Sequence, residues 1–78
     1  MKIAVWITDV GCDEAQDDEA CVCAQYFCGD RSFSSSVLTH VDLNLTEDQI
    51  KDAIRTSVSN DVNTKRGLST TAADVRLI

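Results

Sequence analysis

The stretch LNLTEDQI, residues 43–50, constrains this chain more than any other. It is a helix start. Thr46 suits the N-cap and Gln49 stands three residues on, so their side chains can each satisfy a free backbone N–H. Leu45 before the cap and Ile50 after it form a hydrophobic staple. Glu47 and Asp48 fall in the first turn, where the helix dipole favours anions. Beyond them Ile50, Ala53, Ile54, Ser57, Val58 and Val62 form one stripe at helical spacing, with Asp48, Lys51, Asp52 and Arg55 largely outside it. Lys65 and Arg66 suit a last turn and Gly67 suits the position just past it. Asn and Thr are weak helix formers, so an end at Asn60 or Asn63 stands open equally with one at Gly67.

A helix with one apolar stripe needs a surface to cover, and the upstream residues supply strands. Lys2 to Val10 alternate, with Ile3, Val5 and Ile7 on one face and Ala4, Trp6, Thr8 and Val10 on the other. Ala20 to Cys28 reads as a second strand, followed by a Gly29-Asp30 turn. A third strand places Phe33, Val37, Val41 and Leu43 on one side and Ser34, Ser36, Leu38, His40 and Asp42 on the other. Ala73 to Ile78 reads as a short final strand. The expected fold is α+β over a single domain, 1–78: a three-stranded antiparallel meander, one amphipathic helix on one face, and the closing strand. A right-handed crossover sets that strand beside the first, giving order 4-1-2-3; pairing beside the third is the alternative. The helix covers Ile3, Val5, Ile7, Phe33, Val37 and Val41. Ala4, Trp6, Val10 and Leu38 remain on the far face, more apolar surface than one helix covers, which suggests a partner interface.

With 78 residues the core alone supplies only about 3–5 kcal/mol, so a partner or a staple is expected. The formal charge of −6 repels a phosphate backbone and argues against direct nucleic-acid binding. No apolar run is long enough to span a membrane. MKIAVWITDV lacks the long apolar segment and small-residue end of a secretory signal. Without export the cysteines stay reduced.

All four cysteines lie in GCDEAQDDEACVCAQYFC, residues 11–28. Structural zinc sites pair cysteines two to four residues apart on a tight knuckle, and Cys21-Val22-Cys23 is closer than that. In a strand Cys21 and Cys23 share one face and Cys28 takes the other, so four thiolates do not converge. His40 would be a substitute ligand, but nothing in the sequence places it near. Cys21 and Cys23 sit near the upper limit for a disulfide; Cys12 and Cys28 pair only if the hairpin brings them together. Small apolar thiols in a half-buried strand is the favoured reading. Asp13, Glu14, Asp17, Asp18 and Glu19 lack calcium-loop spacing and read as a solvated loop or one that meets a basic partner.

Catalysis has little support. Ser36 and His40 are about 13 Å apart along a strand, too far for a hydrogen bond. No nucleophile elbow, phosphate loop or zincin motif occurs. No enzyme, cofactor, metal or small-molecule substrate is expected.

From Val41 the chain runs VDLNLTEDQIKDAIRTSVSNDVNTKRGLSTTAADVRLI. This half resembles small proteins encoded among tailed-bacteriophage structural genes. They combine a polar strand, an L-T/S-x-x-Q-I-x-x-A-I helix start and a short closing strand. The resemblance implies a virion component, either a capsid decoration or a tail-associated subunit. It carries over no site residues.

Three functional classes fit these features. The first is a structural subunit or homo-oligomer held by protein contacts, in a virion or the host cytoplasm. Trp6 and Leu38, with Asp13, Asp17 and Asp18 of the acidic loop, are its candidate interface. The second is an acidic inhibitor of a host nucleic-acid-handling protein. The third is a zinc-binding module.

Overall fold

A computed structural model describes residues 2–11, 18–29 and 33–78. In chain order they form β1 (Ile3–Val10), β2 (Glu19–Cys28), β3 (Ser34–Asp42), α1 (Glu47–Arg66), a 3-10 turn (Ala72–Asp74) and β4 (Val75–Leu77). The strands make one sheet of order β3-β2-β1-β4. β1–β2 and β2–β3 are antiparallel, and β4 joins β1 in parallel. This is the expected α+β architecture, with the final strand beside the first.

The helix starts at its expected cap and runs the full length to Gly67. The Gln49 N–H donates to Thr46 Oγ1 at 3.2 Å and the Thr46 N–H donates to Gln49 Oε1 at 3.0 Å, the reciprocal cap. Gly67, at φ 65°, closes the other end, its N–H on the Asn63 carbonyl. That left-handed geometry suits glycine. The helix does not fray at Asn63. The Asn63 side chain instead bonds Thr70, donating to its carbonyl at 2.9 Å and accepting its N–H at 2.7 Å. It thereby ties the connection to β4 against the helix.

The core lies between α1 and one face of the sheet. Ile3, Val5, Tyr26, Val58 and Val62 are fully buried there, with Val22, Ala24, Cys28, Val41, Ile54 and Val75 around them. Phe33, Val37, Ile50 and Ala53 pack at the margin. The Arg66 guanidinium lies 4.9 Å from the Phe33 ring centre, a cation–π contact that holds the last helical turn over the sheet.

Three expectations need correction. Ile7 is 37% exposed rather than core. A bulge lies between Ile7 and Asp9, so Ile7 opposes Ala24 while Asp9 opposes Cys23. Thr8 is the extra residue, and its hydroxyl donates to the Cys23 carbonyl at 3.1 Å. The bulge also reverses the parity of the residues beyond it. Val10 opposes Val22 and so joins the helix-side face instead of sharing the face of Trp6. Finally, Ala73 and Asp74 form the 3-10 turn, and the closing strand is confined to Val75–Leu77. Asp74 bends the chain there by accepting the Thr71 N–H at 2.8 Å.

Candidate functional site

β2 is the central ruler of the site. Its even-numbered residues face α1, so Ala20, Val22, Ala24, Tyr26 and Cys28 are core. Its odd-numbered residues, with their cross-strand partners, face away: Phe27 opposes Ala4 and Ser34, Gln25 opposes Trp6 and Ser36, Cys23 opposes Leu38, and Cys21 opposes His40. Directly opposed residues share a face. The open face therefore has an apolar centre built on three adjacent strands, with Asp9, Glu19 and Asp42 gathered toward one end.

At its centre the Trp6 and Phe27 rings meet with centroids 5.6 Å apart, tilted by 57°. Such tilted aromatic pairs are favourable beyond the area they bury. Both rings remain half-buried, and Leu38 is 56% exposed. A depression of about 360 Å³ lies beside them, lined by Trp6, Gln25, Ser34 and Ser36. Asp18 is exposed at the entry to β2. Asp13 and Asp17, like Cys12, lie outside the described residues, so the acidic loop as an interface has no geometry here.

One pairing overturns a sequence expectation. His40 stands directly across from Cys21, and its Nδ1 is 3.2 Å from Cys21 Sγ. The contact joins a buried thiol to an exposed imidazole. It was hidden because a cross-strand partner depends on the hairpin register, which residues 29–33 do not specify. Cys28 takes the face opposite Cys21 and Cys23, as strand parity predicts, and that face is the core; Cys23 is half-buried on the open face. Among the described residues no three His, Cys, Asp or Glu side chains stand where a metal ion would bind.

The helix-side face carries a polar network that the sequence does not announce. The Tyr26 hydroxyl donates a short hydrogen bond to Asp61 Oδ2. Lys65 Nζ lies 2.9 Å from the same carboxylate oxygen and 2.8 Å from Ser35 Oγ. Burial pushes the Tyr26 phenol well above its ordinary value, and the neighbouring Asp61 adds to the shift by hydrogen bond and by charge. The i,i+4 spacing of Asp61 and Lys65, and the even parity of Tyr26, were the available signals. This network clamps helix to sheet. Elsewhere on the helix Lys51 pairs with Glu47 at 3.3 Å and Arg55 with Asp52 at 2.9 Å, so its outer cations are locally balanced.

No family model, curated protein or solved structure matches this chain. Its function is therefore read from the surface itself. Among the described residues no helix is long and apolar enough to cross a membrane.

Proposed function

We propose that this chain is a non-enzymatic structural protein that acts through protein–protein contacts on the open sheet face. One observation carries the reading. α1 seals one face of the sheet, while the other leaves the Trp6–Phe27 pair and Leu38 at the surface. Trp is strongly enriched at binding hot spots, and an aromatic pair held by its own strand scaffold loses little entropy on docking. The likeness of the C-terminal half to small tailed-phage structural proteins gives the contact its setting. The chain is a virion component, a capsid decoration or tail-associated subunit, found in the particle or in the host cytoplasm before assembly. It needs no cofactor, nucleic acid or membrane.

The test uses Trp6, the single tryptophan. In the free chain its emission should be red-shifted and open to acrylamide quenching. Bound to particles assembled from the neighbouring genes, it should turn blue-shifted and shielded. Trp6→Ala should release the chain from the particle while leaving a cooperative melt. A chain that never co-sediments with such particles, yet binds a nucleic-acid-handling protein in a salt-sensitive way, would replace this reading with the acidic inhibitor.

A further inference from the structure

The two edges of the sheet differ in a way that names one partner. β4 is an edge of three residues, fronted by an open groove of about 770 Å³, and gives an added strand little to pair with. β3 is an edge of nine residues. The register of its inner ladder shows which groups it leaves outward. The Cys28 N–H donates to the Phe33 carbonyl and the Leu43 N–H to the Asp18 carbonyl. Odd-numbered positions of β3 therefore bond inward to β2, and hydrogen-bonded and non-bonded pairs alternate in an antiparallel ladder. Ser34, Ser36, Leu38, His40 and Asp42 then turn both backbone groups outward. Two of the outward carbonyls are met from within the chain. Lys65 Nζ approaches that of Ser36 at 3.3 Å and the Leu45 N–H that of Asp42 at 3.3 Å. The outward N–H groups of Ser36, Leu38 and His40 meet no acceptor among the described residues.

Natural edges are blunted by proline, by inward charge, by a bulge or by shortness. β3 has no proline, pairs with β2 in unbroken register, and carries one charge, Asp42 at its end. Among the described residues Lys65 at Ser36 and the Leu45 N–H at Asp42 are the groups that meet its outward carbonyls, and those of Ser34, Leu38 and His40 are left for a partner. We infer that β3 pairs antiparallel with β3 of a second copy about a two-fold axis at Leu38, joining the two sheets into one. This rests on the reading of the open face as a contact surface and adds the partner that extends it.

Side-chain chemistry favours that occupant and that register. Leu38 falls opposite Leu38 of the second copy, Ser36 opposite His40, and Ser34 opposite Asp42. No like charges meet, and the one carboxylate faces a hydroxyl donor. Centring the axis on His40 instead would set Leu38 against Asp42. Both open faces fall on the same side, so the two Trp6–Phe27 pairs and the two Leu38 side chains line one surface. A nine-residue ladder with one leucine pair is a small interface, so assembly is concentration-dependent.

Sedimentation of the whole chain from micromolar to millimolar concentration tests this. The mass should rise from 8.5 kDa toward twice that value. Ser36→Pro removes an outward N–H without touching the inner ladder, and proline is tolerated at such edge positions. It should weaken self-association at least about 10-fold. Hydrogen exchange on the unaltered chain is the second readout: the amides of Ser36, Leu38 and His40 should slow only as the dimer forms. A chain that stays monomeric overturns the inference, and the open-face reading then stands or falls on Trp6 alone. A dimer lost on Trp6→Ala but kept in Ser36→Pro, with those amides still exchanging fast, also overturns it, because the copies would then meet face to face.

Discussion

The two faces of this sheet come from the same strands, yet they are built on opposite terms. Beneath α1, Ile3, Val5 and Tyr26 have no exposed surface, and even the polar atoms there are bound: Thr39 Oγ1 donates to Ser57 Oγ at 2.6 Å, and Tyr26 donates to Asp61. On the open face the largest side chains, Trp6 and Phe27, pack ring against ring and stay half-buried, and Leu38 is 56% exposed. Stability thus comes mainly from the helix side, while the open side also holds Leu38, an exposed apolar group whose removal costs the isolated chain little. A small domain has no core to spare, so large apolar residues left outside it point to a contact made elsewhere.

The strongest way to break the comparison is Ile54→Ala. Ile54 is 4% exposed in the middle of the helical stripe, and truncating such a side chain costs about 2–5 kcal/mol. In a domain of this size that loss should abolish the cooperative melt near room temperature. A variant that unfolds like the parent would show that the helix is not the main source of stability.

Tyr26→Phe should cost about 1–3 kcal/mol, because it deprives a part-buried carboxylate of its hydroxyl donor. Lys65 remains beside Asp61 and limits the loss. The same residue gives a pH test. Its folded pKa lies above the unfolded value near 10. The protonated phenol is therefore favoured by folding, its contribution is complete below about pH 10, and it is lost as pH rises through the folded pKa. Stability should fall in alkaline solution, and Tyr26→Phe should flatten that fall. Tyr26 is the only tyrosine, so tyrosinate absorbance reads it directly. Titration at the ordinary value in the folded chain would remove the clamp.

How much of this was legible in the sequence depends on the range of the interactions. The helix start was readable because its cap is local, made within four residues; the other end stayed open between Asn60, Asn63 and Gly67, because weak helix formers there are held by the distant Asn63–Thr70 tie. Strand parity was readable because period two is local as well; it placed Trp6 opposite the helix and Cys28 on the face away from Cys21 and Cys23. The Cys21–His40 contact and the outward groups of β3 depend on register, which one residue of hairpin length reverses. The bulge at Thr8 has the same character: nothing in WITDV announces it, and it moved Val10 to the other face. The Tyr26–Asp61 bond joins residues 35 apart in the chain, beyond any periodic signal.

Thr46→Ala is a smaller break on the helix side. It removes the acceptor for the Gln49 N–H and should cost about 1 kcal/mol. Thr46→Ser should restore nearly all of it. Urea melts of the two variants check the order, and equal losses would mean that the staple rather than the cap starts the helix.

The smallest expected effect on folding sharpens the comparison most. Leu38 is 56% exposed on the open face and opposes half-buried Cys23. Substitutions at such surface positions usually change stability by less than about 0.5 kcal/mol, and Leu38→Ser should fall in that range. Serine is already the residue at Ser34 and Ser36 on the same face of the same strand, so the backbone accepts it. If the open face exists to be covered, the cost should appear in association instead. Leu38→Ser removes the apolar pair at the centre of the inferred two-fold contact, while Ile54→Ala removes none of it. The decisive measurement is a pair of curves on each variant, a urea melt at low concentration and sedimentation at high concentration. Leu38→Ser should shift the second and spare the first. A loss of stability comparable to that of Ile54→Ala would show that Leu38 belongs to the core and that the two faces do not divide folding from contact.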